Sequence, residues 1–176
     1  MDIELLVNIS SKAWALKILA LLDSGVAGRQ APLLAATKAT RPAFAASLKH
    51  LHALNLLEKN PGHGHPLRPE FRLSLQGIEA AAMAGRVLKA APDDAALAIL
   101  KRTWSVPILA IAQAPTRYSS IKTRLGKITD RALSQSLYFL EERDWLVREI
   151  DVSHRAAYPT YHAVAKGAEI SRLIQI

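Results

Sequence analysis

Residues 117–147 read RYSSIKTRLGKITDRALSQSLYFLEERDWLV, and this stretch decides the fold. Tyr118, Ile121 and Leu125 recur at spacings of three and four, the apolar stripe of a short helix. Gly126 ends it, because glycine accepts the backbone that a helix terminus requires. Thr129 is placed to cap a second helix, its hydroxyl accepting one of the orphan amides of the first turn. That helix turns Ala132, Leu133, Leu137 and Leu140 inward and leaves Arg131, Gln135 and Tyr138 outward. A strand at Leu146 and Val147 follows. Two helices joined by a tight turn, one face apolar and the other carrying Arg, Gln and Tyr, have the outline of a helix-turn-helix.

Upstream, residues 3–22 read as one helix, with Ile3, Leu6, Trp14, Ile18, Leu19 and Leu22 at helical spacing, broken by Gly25 and Gly28. A short helix is expected over Gln30 to Thr37, where Pro32 suits the first turn. Thr40 caps the next, with Pro42 again in the first turn. Phe44, Leu48, Leu51 and Leu54 form its inner face, and Arg41, Ala45 and Lys49 its outer face. Residues 56–59 read as a strand and 60–69, NPGHGHPLRP, as a turn-rich loop that cannot be helical. Residues 71–75 alternate like a returning strand, and a helix from about Gly77 to Lys89 closes the segment.

Sliding the chain by 90 residues sets Trp14 on Trp104, Ile18-Leu19 on Ile108-Leu109, Phe71 on Tyr161, Gly77 on Gly167 and Glu79 on Glu169. Between these anchors the offset is 89, aligning Leu48, Leu51 and Leu57 with Leu137, Leu140 and Leu146. A one-residue slip that later recovers is the signature of two changes in loop length. Two copies are too few for a solenoid. The expected architecture is mainly α with small β-hairpin wings (α+β). It comprises two tandem winged-helix domains, 1–90 and 91–176, meeting at a short link, Ala90-Ala91-Pro92-Asp93-Asp94. Each copy is ordered helix, helix, helix, strand, loop, strand, helix.

Half of the 176 residues are apolar, enough for a real core. The formal charge is +8, and such a balance favours a polyanionic partner. The excess is shared, with 11 basic against 6 acidic residues through Ala90 and 12 against 9 beyond it. There is no cysteine, which removes disulfides, thiol redox sensing, cysteine-ligated zinc and cysteine nucleophiles. The stretch MDIELLVNIS lacks the basic flank of a secretory signal, and no apolar run nears the ~20 residues of a membrane span. A cytoplasmic protein without membrane contact is expected.

The second copy resembles the HxlR branch of the MarR-like winged-helix regulators. The resemblance runs over residues 104–167 through Trp104-Ser105-Val106-Pro107-Ile108-Leu109, Arg117-Tyr118-Ser119-Ser120-Ile121, Ile128-Thr129, Leu133-Ser134-Gln135-Ser136-Leu137, Leu140-Glu141-Glu142 and Trp145-Leu146-Val147-Arg148. The first copy shares only the skeleton: Trp14, Ile18-Leu19, Leu48, Leu51, Leu56-Leu57 and Gly77. The resemblance implies a transcriptional regulator bound to double-stranded DNA. Relatives with a single such domain pair as homodimers; two copies in one chain imply a pseudo-dimer, with further homodimerisation left open.

Candidate contacts follow. Arg131, Gln135 and Tyr138 are expected on base edges, since Arg can bind guanine and Gln adenine bidentately. Arg117, Ser119, Lys122 and Thr129 are expected on phosphates, fixing register. In the first copy Thr40, Arg41 and Lys49 hold the matching face, but its alanines suit backbone contact more than base readout. His63, His65 and Arg68 in the first wing, and His154 and Arg155 in the second, suit phosphate or minor-groove contact. Alternate histidines on a Gly/Pro loop lack the partners of a structural zinc site, so neither metal nor cofactor is expected. No phosphate loop, nucleophile elbow or carboxylate pair appears, and no enzyme is expected. A cleft beside Trp14 or Trp104 could hold an apolar effector, although no residue demands one. The rival reading is a protein-interaction module with little specific DNA binding; a replication initiator of tandem winged helices is a third.

Overall fold

The computed structural model describes residues 1–65, 68–91, 93–153 and 157–176, and of 61–65 and 68 the backbone alone. The helices and strands, in chain order, are α1 (Ile3–Ser10), α2 (Ala15–Asp23), α3 (Gln30–Thr37), α4 (Arg41–Ala53), β1 (Leu57–His65), β2 (Arg68–Leu73), α5 (Leu75–Ala90), α6 (Asp94–Leu100), α7 (Ser105–Ile111), β3 (Thr116–Arg117), α8 (Tyr118–Leu125), α9 (Asp130–Glu141), β4 (Leu146–Asp151), β5 (Tyr158–Ala163) and α10 (Ala165–Leu173). The chain is mainly helical with two small antiparallel sheets, β1-β2 and β3-β5-β4. It packs into two units, one of Ile9–Lys101 and one of Met1–Asn8 with Arg102–Ile176. The units therefore part at Lys101 and Arg102, eleven residues past the expected 90/91 seam.

The single helix expected over 3–22 is two. Lys12 N bonds Ile9 O and Ala15 N bonds Lys12 O, three-residue turns that replace the helical ladder. The cause is a gap in the apolar stripe: Leu6 and Ile9 are buried, Ser11, Lys12 and Ala13 are exposed, and burial resumes at Ala15. Among the described residues no single helix is long and apolar enough to cross a membrane.

In the Ile9–Lys101 unit, α2 lies against α5, α3 and α4. Its core holds Ile18, Leu19, Leu33, Leu48, Leu51, Leu56 and Val87. The hairpin is longer than 56–59 and 71–75 suggest. β1 continues through the Pro-Gly stretch by shifting register between Lys59 and Gly64, and β2 resumes at Arg68. A bulge of this kind tolerates residues that a regular ladder would not. Leu75 belongs to α5, which begins two residues ahead of Gly77 because the Ser74 hydroxyl accepts from Gly77 N at 3.0 Å.

In the other unit, α7 contacts α8, α9 and α10, and α9 rests on β4. Ile108, Leu109, Ile121, Leu133, Leu137, Leu140 and Ile170 fill its core. Trp104 is half-buried at the N-terminus of α7; Trp145 is the more deeply buried of the two. The corner after α9 turns on Asp144, at φ 55°, and the corner after α4 turns on Asn55, at φ 56°. Both are residue types that tolerate left-handed backbone. Gly167 faces the Trp145 carbonyl, whose oxygen would lie 2.1 Å from an added Cβ, and Gly77 faces that of Leu56 at 1.9 Å.

Candidate nucleic-acid interface

The α8–turn–α9 segment is built as its residues dictate. Leu133, Leu137 and Leu140 recur at four and three and are buried. Gly126 takes φ 68° and donates to Lys122 O and Thr123 O, closing α8. Thr129 Oγ1 accepts from Ala132 N at 3.2 Å, capping α9. Thr129→Ala is expected to cost about 1 kcal/mol, read as a lower urea midpoint at unchanged slope.

The outward face of α9 carries Arg131, Gln135 and Tyr138, all exposed. Tyr138, 63 % exposed, donates its phenol to Glu142 at 2.7 Å, one turn on. That hydrogen bond and the charge of Glu142 push its phenol up from the ordinary value. Tyr118 is half-buried and serves the turn: its hydroxyl donates to Asp130 O at 3.0 Å and lies 3.2 Å from Ser134 Oγ.

Besides Thr129, whose hydroxyl caps α9, two more residues expected on phosphates are engaged. Lys122 Nζ sits 2.6 Å from Asp130 Oδ2, and this donor, with lesser help from its charge and from Tyr118, holds the Asp130 carboxyl below its ordinary 3.8. A carboxylate with a lowered folded pKa adds stability above its unfolded pKa and loses it as pH falls through the folded one. Lys122→Met should therefore destabilise at pH 7 and converge with the parent only as the pH falls from 3.8 through the lowered Asp130 value, seen in urea midpoints across that range. Arg117 is the second. Its guanidinium lies over the Tyr158 ring, 3.5 Å from the centroid, and hydrogen-bonds the Tyr158 hydroxyl. Burial raises the Tyr158 phenol. Arg117 is exposed and precedes α8 directly, so this stacking fixes the position of a cation at the start of α8. Ser119 is exposed in the first turn of α8.

Arg124 and Lys127 are exposed on either side of Gly126, and Arg148 is exposed on β4, across from Tyr161 of β5. The basic residues about the turn were the sequence signal for the first two. Ile150 and Val152, 53 % and 75 % exposed, are apolar side chains on the wing. His154 and Arg155 lie outside the described residues.

In the Ile9–Lys101 unit the helix expected to correspond is α4. Thr40 occupies its N-cap without a side-chain cap bond, and Arg41, Ala45 and Lys49 are exposed. Lys49, His52 and Lys59 border a cleft of about 280 Å³ whose floor includes Leu48 and Phe71. His52 meets the Phe71 ring edge-on at 6.0 Å. Arg29 and Arg72 are paired with Glu70 and Glu58. His63 and His65 lie on β1 and Arg68 on β2, where His65 pairs with Arg68; their side chains are outside the described residues.

Residues 99–176 match the model of the HxlR-like helix-turn-helix family. The match opens within α6 and runs through α10, so it contains all of α8, the turn and α9. The HxlR-like segment thus carries the exposed Arg131, Gln135 and Tyr138 on the second helix of its motif. The match does not extend to α2–α5. No curated protein and no solved structure matches the chain.

Proposed function

We propose that the protein is a sequence-specific, double-stranded-DNA-binding transcriptional regulator, a single-chain pseudo-dimer of two winged helices in which α9 reads bases. The observation that carries this reading is the HxlR-like helix-turn-helix itself, with Arg131 and Gln135 exposed along α9. Regulation would follow from occupancy of an operator, and a DNA-binding role implies the cytoplasm. The duplication is supported by matching details 89 or 90 residues apart: Asn55 and Asp144 at helix–strand corners with φ of 56° and 55°, and Gly77 and Gly167 each against a backbone carbonyl. We assign the repeat boundary to the 90/91 link. In a homodimer two reading helices meet half-sites about 34 Å apart; two unlike copies in one chain suit an asymmetric site. In this reading α4, with Ala45 and Ala46 outward, contacts mainly the backbone.

The same alanines, with Leu75 at 88 % and Ile78 at 51 % exposure, also favour a second reading, in which Ile9–Lys101 is a protein-docking module. Salt dependence separates the two. Arg124→Ala and Lys127→Ala should weaken every duplex alike and each lower the slope of log K against log salt by about 1. Fluorescence anisotropy on unrelated duplexes reads both quantities, and slopes unchanged in both variants would count against contact through the turn.

A further inference from the structure

We propose that the Ile9–Lys101 unit holds a binding site for a small aromatic or short-chain carboxylate, set against the turn that leads into α4. The site is a cleft of about 180 Å³ lined by the start of α2, the end of α3, α5 and α6. Trp14, Leu16, Leu97 and Leu100 supply apolar walls. Drug-sized ligands occupy ~300–1,000 Å³, so this volume takes a single ring or a short chain. Lys17, Lys38 and Lys101 also line the cleft, against one carboxylate, Asp94. An apolar pocket with an excess of cations selects an apolar anion: burial rewards the hydrocarbon and an ammonium pairs with the acid.

The arrangement at Trp14 supports that choice. The Lys101 ammonium lies over the indole, 4.1 Å from its centroid, holding an aromatic face with a cation at its rim. An aromatic acid would place its ring on that face and its carboxylate against the displaced ammonium, exchanging the cation–π contact for ring stacking and an ion pair.

The site also touches the turn that leads into α4. Ala36, Thr37 and Lys38 form one wall. Thr37 Oγ1 donates to Leu34 O at 2.9 Å and accepts from Ala39 N at 3.4 Å, and Lys38 takes φ 59°. These contacts set the direction in which the chain enters α4 at Arg41. A ligand here acts on α4, and this consequence alone rests on the DNA-binding reading.

The test is calorimetric titration of the full chain, without DNA, with phenylacetate, phenylacetamide and phenethylamine. Phenylacetate is expected to bind about tenfold more tightly than the amide, as a charge-assisted contact implies, and the amine not at all. Lys101→Met, a surface change that spares the fold, should lose about that tenfold. Leu97→Phe, checked for a native circular dichroism spectrum, should close the cleft to all three. Equal binding of acid and amide, no binding of the acid, or an unaltered Lys101→Met would overturn the site. Titration in the absence of DNA keeps that failure separate from any failure of DNA reading. If the site stands, phenylacetate should shift duplex affinity at least threefold in the parent and not in Leu97→Phe; no shift in the parent would overturn the link to α4.

Discussion

Gly167→Ala is expected to destabilise the HxlR-like unit by about 3 kcal/mol or more, at the upper end for overpacking. An added Cβ would lie 2.1 Å from the Trp145 carbonyl oxygen, 2.8 Å from its carbon and 2.9 Å from its Cα. All three are backbone atoms, so no rotamer change relieves the clash. The carbonyl is moreover committed, accepting from Val164 N at 3.0 Å at the junction of β5 and α10. Pushing it away would disturb the strand that begins at Leu146, against which α9 is packed. Gly77→Ala should act alike in the other unit, where the Leu56 oxygen would lie at 1.9 Å and accepts from Ser74 N. Gly85→Ala is the control: its Cβ meets only the tip of the Asp23 side chain, at 2.9 Å. Inside α5 that change should be neutral or add up to about 1 kcal/mol of helix propensity. Urea denaturation followed by circular dichroism checks the order, and a parental midpoint for Gly167→Ala would refute the packing.

The double variant Arg131→Ala/Gln135→Ala is expected to abolish sequence preference while leaving the fold and non-specific binding in place. Each bidentate base contact discriminates by roughly 1–3 kcal/mol, and because Arg131 and Gln135 lie one turn apart on α9 the pair is removed together rather than summed from single changes. Specific affinity should fall by at least about fivefold per residue. Affinity for random duplex should change by the charge of one arginine only. Both side chains are exposed on α9, away from Leu133, Leu137 and Leu140, so thermal stability should stay near that of the parent. Equal losses on specific and random duplexes would remove Arg131 and Gln135 as base readers and leave them as backbone contacts.

The motif was legible in the sequence because its determinants are local. Period, glycine stop and threonine cap place two helices, and α8 and α9 occupy Tyr118–Leu125 and Asp130–Glu141. The break between α1 and α2 was not legible, since no glycine or proline marks it; only the tertiary environment exposes Ser11, Lys12 and Ala13 together. Nor was the start of α6, where Asp93, read as part of a link, accepts from Ala96 N at 2.8 Å and caps the helix. The membership of Met1–Asn8 in the unit of Arg102–Ile176 lies beyond any local signal. At the candidate interface the sequence supplied the basic residues but not their partners. Arg117 on Tyr158 spans a strand pairing, and Lys122 on Asp130 spans the turn. Whether a cation is free or engaged depends on such pairings, which spacing along the chain does not encode.

Selection from a random-sequence duplex pool at two salt concentrations, with sequencing of the retained fraction, tests the central claim most directly. Salt-sensitive retention with an enriched motif is the predicted result, the motif lost in Arg131→Ala/Gln135→Ala and asymmetric where α9 alone reads bases. No retention at low salt would contradict the account.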